Sequence, residues 1–271
     1  MSVAVSMMRV AAVQTVSGGD VDANLAQAEP LVRRAAAEGA KLVVLPEYFG
    51  IFGARATDKL TVREADGDGK QQAFLARLAR EHAIWLVGGT VPIATGDPDR
   101  VRSACLVYGP EGGRVARYDK IHLFAFTRGE ERYDEGRTIE RGTEAVAIDL
   151  PCGRVGLSVC YDLRFPELYR GMGTLALLLV PAAFTATTGA AHWHLLLRTR
   201  AVENQCYVLA AAQGGEHPGG RRTYGHSMLI DPWGSIVAEH DSGPGIVVGD
   251  IEQARLAAVR AELPALSHRV L

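Results

Sequence analysis

A layered α/β fold, with two mixed β-sheets packed face to face and helices over both outer faces, is the architecture this sequence predicts. Three observations lead there. Strand-like and helix-like segments alternate along the chain, and hairpin signals interrupt the alternation. The strand segments are mostly continuous apolar runs, which need cover on both faces. About a dozen strands with several hairpins do not fit one all-parallel sheet, whereas two mixed sheets accommodate them.

In chain order, RVAAVQT (9–15) reads as a buried strand. DVDANLAQAEPLVRRAAAEGA (20–40) reads as an amphipathic helix, with Asp20 or Asp22 near its start and Gly39 near its end. Pro30 inside it predicts a kink or a break. KLVVLPE (41–47) is the next strand, a helix follows at about 69–82, and IWLVGGTVPI (84–93) reads as another strand. SACLVYG (103–109) and RVARYD (114–119) flank PEGG and form a hairpin; AVAIDL and RVGLSVC flank PCG and form a second. TLALLLVPA is a strand and GAAHWHLLLRTRAVENQ (189–205) a helix. CYVLAAA, YGHSMLI, SIVAEHD and GIVVGDI complete the strands, and a final helix covers about 251–260. No linker or low-complexity segment divides residues 1–271, so one domain is expected.

Composition narrows the function. The 271 residues are 48% hydrophobic and 22% charged, ordinary values for a chain able to bury a sizeable core. Lys and Arg number 29 against 31 Asp and Glu, a net −2, and no basic stripe is visible, so no nucleic-acid partner is expected. LALLLVPAAF (175–184) is far too short to span a bilayer, which takes about 20 residues, so no membrane partner is expected either. MSVAVSMMRV lacks the basic and apolar regions of a signal peptide. The four cysteines, Cys105, Cys152, Cys160 and Cys206, form no CxxC pair and are expected to be reduced. A cytoplasmic protein is expected. His192 and His194, two apart on a helix, point to different faces and make a poor metal pair, so neither metal nor cofactor is expected.

Reactive groups of layered α/β folds stand just beyond the carboxyl ends of strands. Glu47 closes KLVVLPE, Lys120 follows VARYD and Cys160 closes RVGLSVC. A thiol nucleophile needs a base, which a carboxylate of raised pKa can supply. A lysine beside the attacked carbonyl provides positive charge for the oxyanion, and the Tyr161 backbone N–H offers a second donor. Taken singly, such residues are more often a core cysteine, a loop carboxylate and a solvated lysine. Spacing alone does not show that they converge.

LPEYF (45–49), YDKIHLF (118–124) and GLSVCYDLRFPEL (156–168) together resemble the nitrilase superfamily of carbon–nitrogen hydrolases, in order and over essentially the whole chain. The resemblance implies an αββα sandwich that pairs into homodimers or larger assemblies. It implies Glu47 as general base, Lys120 as oxyanion stabiliser and Cys160 as nucleophile forming a thioester. A supporting glutamate of the family matches Glu135 in RYDEGRTI, although Gly136 replaces the usual serine. Tyr161-Asp162 after the nucleophile, in place of the Trp-Glu of true nitrilases, implies a small-molecule amide as substrate. The region 181–234 resembles the branch containing the deaminated-glutathione amidases, with the ω-amidases of α-ketoglutaramate and α-ketosuccinamate as the neighbouring alternative. Both substrate classes carry carboxylates, so Arg164 is a candidate anion binder, with Arg221 and Arg222 in a loop that could cover the site. Phe184, Thr185, Thr188 and His192 follow another strand end and are candidate pocket residues. The competing readings are a Cys-His hydrolase using His122 or His226, a binding module without catalysis, and an acyl transferase.

Overall fold

The computed structural model describes residues 7–129 and 131–270. Its strands are β1 (Met7–Gln14), β2 (Leu42–Leu45), β3 (Trp85–Gly88), β4 (Val91–Ala94), β5 (Val101–Tyr108), β6 (Arg114–Asp119), β7 (Ala125–Arg128) and β8 (Glu131–Asp134). They continue with β9 (Ala147–Leu150), β10 (Gly153–Leu157), β11 (Leu177–Ala182), β12 (Tyr207–Ala212), β13 (Ser227–Ile230), β14 (Ile236–His240) and β15 (Gly245–Glu252). The helices are α1 (Val21–Ala37), α2 (Asp58–Thr61), α3 (Lys70–His82), α4 (Pro166–Gly171), α5 (Ala186–Asn204) and α6 (Gln253–Glu262).

The first sheet runs β15-β1-β2-β3-β5-β4, with β6 also on β5, and the second runs β14-β13-β12-β11-β10-β9. Each is parallel at its centre, β1 to β3 in one and β10 to β12 in the other, and antiparallel towards its edges. The period of two along each strand divides the apolar residues between two layers. Val10, Ala12, Leu42 and Val44 face the second sheet and pack with Leu157, Leu179 and Leu209. The intervening Ala11, Val13, Val43 and Leu45 face outward against Val32 of α1 and Leu75 and Leu78 of α3. On the far side, α5 covers β12 and β13 through Trp193 and Leu197. The result is an αββα sandwich, as expected.

Local chemistry explains where elements differ from the sequence reading. Asp20 caps α1, its Oδ1 accepting from the Ala23 N–H at 2.8 Å. Pro30 does not break that helix, which runs on to Ala37. The ring sits on the exposed face, where the Ala26 carbonyl that loses its donor is on an exposed turn. The single strand expected at 84–93 is two, separated at Gly89, whose φ of +38° only glycine adopts readily. A Cβ there would lie 1.8 Å from the Pro46 carbonyl oxygen, so the bend lets the chain approach the residue before Glu47. Helix α5 begins at Ala186 rather than 189, because the Thr185 Oγ1 accepts from the Thr188 N–H at 3.2 Å and caps it. Strand β10 ends at Leu157, three residues before Cys160. Helix α2 and the β7–β8 hairpin carry no pattern that the sequence reading found.

Candidate active site

The carboxyl ends of parallel strands β2 and β10 reach one edge, where antiparallel β6 and the β7–β8 hairpin also end, and four chemically active side chains come together there. Glu47 lies two residues past β2, Lys120 directly follows β6, Glu135 directly follows β8 and Cys160 follows β10. The Lys120 Nζ donates to Glu47 Oε1 at 2.8 Å and to Glu135 Oε2 at 2.7 Å. Glu47 Oε2 accepts from the Ala183 backbone N–H at 3.0 Å, at the end of β11. Glu135 is held by the Tyr48 hydroxyl, 2.7 Å from its Oε1, and by the Phe124 N–H, 2.7 Å from its Oε2. The Thr90 hydroxyl, just past Gly89, accepts from the Tyr48 N–H at 2.9 Å, tying the bend between β3 and β4 to the Glu47 segment.

Glu47 and Lys120 are 1% exposed, so solvent does little to screen them. Burial raises the Glu47 carboxyl, and the like charge of Glu135 adds to it against the pull of Lys120. Burial also acts to raise Glu135, but the Lys120 charge and the hydrogen bonds it receives outweigh burial and hold it below the usual range. For Lys120 burial works against the charge, and the two carboxylates overcome it, so the group is a firm ammonium. The Cys160 thiol is pushed well above its ordinary value, first by burial and then by the Glu47 charge. At rest this is a neutral thiol beside a buried carboxyl group.

Cys160 opens a 3-10 turn, Cys160–Arg164, with φ of +50°, a left-handed conformation uncommon in a residue with a side chain. Asp162 fixes that turn. Fully buried, it accepts from the Val159 N–H (2.8 Å), the His122 N–H (3.0 Å), the His122 ring at Nδ1 (2.7 Å) and the Tyr118 hydroxyl (2.6 Å). The Cys160 turn is thereby fastened to the segment that delivers Lys120. The Tyr161 N–H sits in the first turn, where backbone donors lack intrahelical acceptors.

Beside these groups lies a cavity of about 220 Å³. Glu47, Tyr48, Glu135 and Cys160 line it, and so do Lys59, Arg55, Arg132, Arg221 and Arg222. Lys59 belongs to α2; its Nζ donates to the Thr138 hydroxyl at 3.0 Å and lies 5.8 Å from the centre of the Tyr48 ring. Its pKa is lowered to about 8, first by burial. Arg221 lies over the Phe52 ring at 4.2 Å and donates to the Gly53 carbonyl. Besides Arg221 and Arg222, the substrate-binding candidate Thr185 lines this cavity, while Arg164, Phe184, Thr185 and Thr188 line a small recess that Cys160 also borders. Arg164 stacks over Phe184 at 5.3 Å. His192 lines neither. It is exposed, and its Nδ1 lies 3.3 Å from the Arg164 guanidinium. The buried stripe of α5 passes through Gly189, Trp193, Leu197 and Ala201, and a residue one step from Trp193 is turned about 100° away.

Neither histidine of the Cys-His reading lines the space around Cys160. The His122 ring bonds Asp162 and stacks on Phe165 at 3.7 Å, and His226 bonds Glu239. Lys59, Arg55 and Arg132 escaped the sequence reading because no strand end or periodic pattern marks them. Tyr48 lies inside LPEYF and could have been noticed there.

A family model described as carbon-nitrogen hydrolase matches residues 9–261. The chain is 39% identical over 264 residues to the deaminated glutathione amidase of Yersinia enterocolitica, covering 96% of this chain and 92% of that one. It is 38% identical over 246 residues to the omega-amidase NIT2 of Homo sapiens, with 89% and 87% covered. Saccharomyces cerevisiae Nit3, a member of branch 10 of the nitrilase superfamily, superposes with a TM-score of 0.87 at 32% identity, over 98% of this chain and 97% of that one. The amidase of Nesterenkonia sp. AN1, with acrylamide added at its active-site cysteine, superposes with a TM-score of 0.78 at 28% identity, over 95% and 98%.

Proposed function

The chain belongs to the carbon–nitrogen hydrolase family, and from that premise we propose that it is an amidase hydrolysing deaminated glutathione through a thioester on Cys160. The observation behind this is the buried Glu47–Lys120–Glu135 chain beside Cys160, set under a cavity with five cationic side chains. Glu47 takes the thiol proton as sulfur attacks the amide carbon. Lys120 spends two of its three N–H groups on the carboxylates and keeps the third for the oxyanion, where the Tyr161 N–H joins it. One such donor is worth about 10²–10³ in rate. Glu47 then protonates the departing nitrogen, the C–N bond breaks, and Glu47 activates the water that releases the acid from Cys160. Glu135 positions Lys120 without touching substrate.

Deaminated glutathione carries two carboxylates, the α-keto acid end and the glycine end, whereas α-ketoglutaramate carries one. Cations on several segments of the cavity, Arg55 and Lys59 on one side of the sequence and Arg221 and Arg222 on another, suit the dianion. The omega-amidase reading stays as the second, given the similar identity to NIT2. Both substrates release α-ketoglutarate, one with cysteinylglycine and the other with ammonia. Parallel kcat/KM measurements by α-ketoglutarate release, with Cys160→Ala as blank, decide between them. A higher value for α-ketoglutaramate moves the protein to the second reading, and silence on both defeats the substrate assignment.

Residues 1–271 act as one carbon–nitrogen hydrolase domain, since the site draws on both sheets. A cytoplasmic setting suits a nucleophile that must stay reduced. Among the described residues no helix is long and apolar enough to cross a membrane. The chain pairs with a second copy through an apolar patch on its outer face. Leu195 of α5 is 65% exposed and Trp233 is 52% exposed, with Val202, Ile236 and Val237 also uncovered. Arg198 of α5 donates to the Gly234 carbonyl at 2.7 Å, joining helix and turn in one surface.

A further inference from the structure

Away from the cavity, His194 on α5, His226 just before β13 and Glu239 on β14 hold three ligand atoms within 4.8 Å of one another. The sequence offers His194 only His192 as a neighbour, a pair with divergent directions, whereas the fold supplies partners 32 and 45 residues further along. His194 Nε2 lies 2.8 Å and His226 Nδ1 2.6 Å from the same oxygen, Glu239 Oε1. Each imidazole sets one ring nitrogen against the same carboxylate oxygen. A cation at that focus takes the place of whatever proton stands between ring and carboxylate. Bonds of about 2.0–2.2 Å in tetrahedral geometry separate ligand atoms by about 3.3 Å, so each of the two nitrogen–oxygen distances opens by roughly half an ångström or slightly more.

The ligands are held in place by their surroundings. Tyr224 stacks on the His226 ring at 4.2 Å, and the His194 ring meets it edge-on at 5.0 Å. The Trp193 indole N–H donates to the His226 carbonyl at 2.9 Å. His226 itself sits at φ +56°, a left-handed backbone that a residue with a side chain keeps only when its surroundings enforce it. Side-chain exposures of 34% for His194, 25% for His226 and 28% for Glu239 leave an approach for an ion and a fourth position for water. Two imidazoles with one carboxylate match Zn²⁺, Ni²⁺ or Cu²⁺ better than Mg²⁺ or Ca²⁺, which take oxygen ligands.

We propose that His194, His226 and Glu239 form a binding site for a divalent first-row transition ion, Zn²⁺ foremost, bridging α5, the end of the loop before β13, and β14. The test uses tag-free, chelator-stripped protein carrying Cys160→Ala, which removes the competing active-site thiol. Titration calorimetry with ZnCl₂ is expected to give one ion per chain and a higher melting midpoint. Co²⁺ is expected to show tetrahedral visible bands without a thiolate charge-transfer band. His194→Ala and Glu239→Gln should each weaken Zn²⁺ by more than about tenfold, since even partners behind a ligand are worth about 10–100-fold. Their melting midpoints in chelator report whether each variant is folded, and Glu239→Gln keeps the side-chain shape. Absence of binding, binding unchanged in both folded variants, or a thiolate band with Co²⁺ would overturn the site.

Discussion

Replacing Glu135 by Gln removes a buried negative charge while keeping an acceptor for the Lys120 Nζ and the Phe124 N–H. Its two neighbours fix the size of the effect. Bonds of 2.8 and 2.7 Å to one tetrahedral nitrogen place the Glu47 and Glu135 oxygens about 4.5 Å apart, which at an effective dielectric of about 20 is a repulsion of about 3.7 kcal/mol. That repulsion helps to keep the Glu47 carboxyl raised. Without it Glu47 ionises at lower pH and becomes a weaker base, while Lys120 loses one of its two anchors. Since about 1.4 kcal/mol is a factor of ten, kcat/KM should fall by between about tenfold and a few hundredfold. The sign for pH follows from the same charge. With Glu47 as the proposed base, the active form has it ionised, so the acid limb of the kcat/KM profile should move to lower pH. Steady-state kinetics by α-ketoglutarate release across the acid range, with the melting midpoint as a check on folding, reads both effects. An unshifted acid limb at undiminished kcat/KM in the folded variant would refute the role given to Glu135.

Three further outcomes are expected. Lys59, lowered to about 8, is cationic below that pH and neutral above it, so KM for a carboxylate substrate should rise as pH passes through about 8. Lys59→Met should flatten that rise and cut kcat/KM by about tenfold to a hundredfold, the worth of a hydrogen bond to a charged group, with kcat little changed in steady-state assays. Asp162→Ala orphans the buried donors of Val159, His122 and Tyr118, so urea unfolding should show a loss of more than about 3 kcal/mol, and mass spectrometry a changed rate of Cys160 alkylation. Leu195→Glu with Trp233→Glu should convert an associated species to monomer in sedimentation velocity; a mass unchanged from the parent would remove that patch from the interface.

How much of this was legible in the sequence depended on whether a residue's place is set locally. Glu47, Lys120 and Cys160 stand at or just beyond strand ends inside recognisable strings; the parallel centres of the two sheets bring Glu47 and Cys160 to one edge, and β6, antiparallel to β5, delivers Lys120 there. Glu135 was found through its own short string. Asp162 marked only the branch, because Tyr118 and His122, which supply three of its four hydrogen bonds, lie in another segment and a buried aspartate looks like any turn aspartate. Lys59 comes from α2, four residues with no buried face to leave a period. His192 was misplaced for a geometrical reason: proximity to a strand end suggested the pocket, but its angle on α5 turns it to solvent. The split at Gly89 went unread because an apolar run shows neither the left-handed φ nor the approach of Pro46. His194, His226 and Glu239 illustrate the same limit, since only the packing of α5 on β13 and β14 makes them neighbours.

The resting charge of the site implies one more result, opposite in direction to the first. Around Cys160 stand one ammonium and two carboxylates, and Lys120 already serves both. A resting thiolate would be a third anion beside a single cation, which accounts for a thiol held well above its ordinary range. The thiolate can therefore develop only as the substrate carbonyl draws its charge away to the free N–H of Lys120 and to Tyr161. Glu135 contributes to that suppression, for its charge also raises the thiol. In Glu135→Gln the thiol should ionise more readily, so alkylation by iodoacetamide at neutral pH should speed up by several-fold while turnover slows. A merely damaged site would slow both reactions, and a site in which Glu135 activated the thiol directly would slow alkylation first. Measuring the two rates on one preparation separates these cases: slower alkylation together with slower turnover would refute the charge argument, and faster alkylation with slower turnover is what it requires.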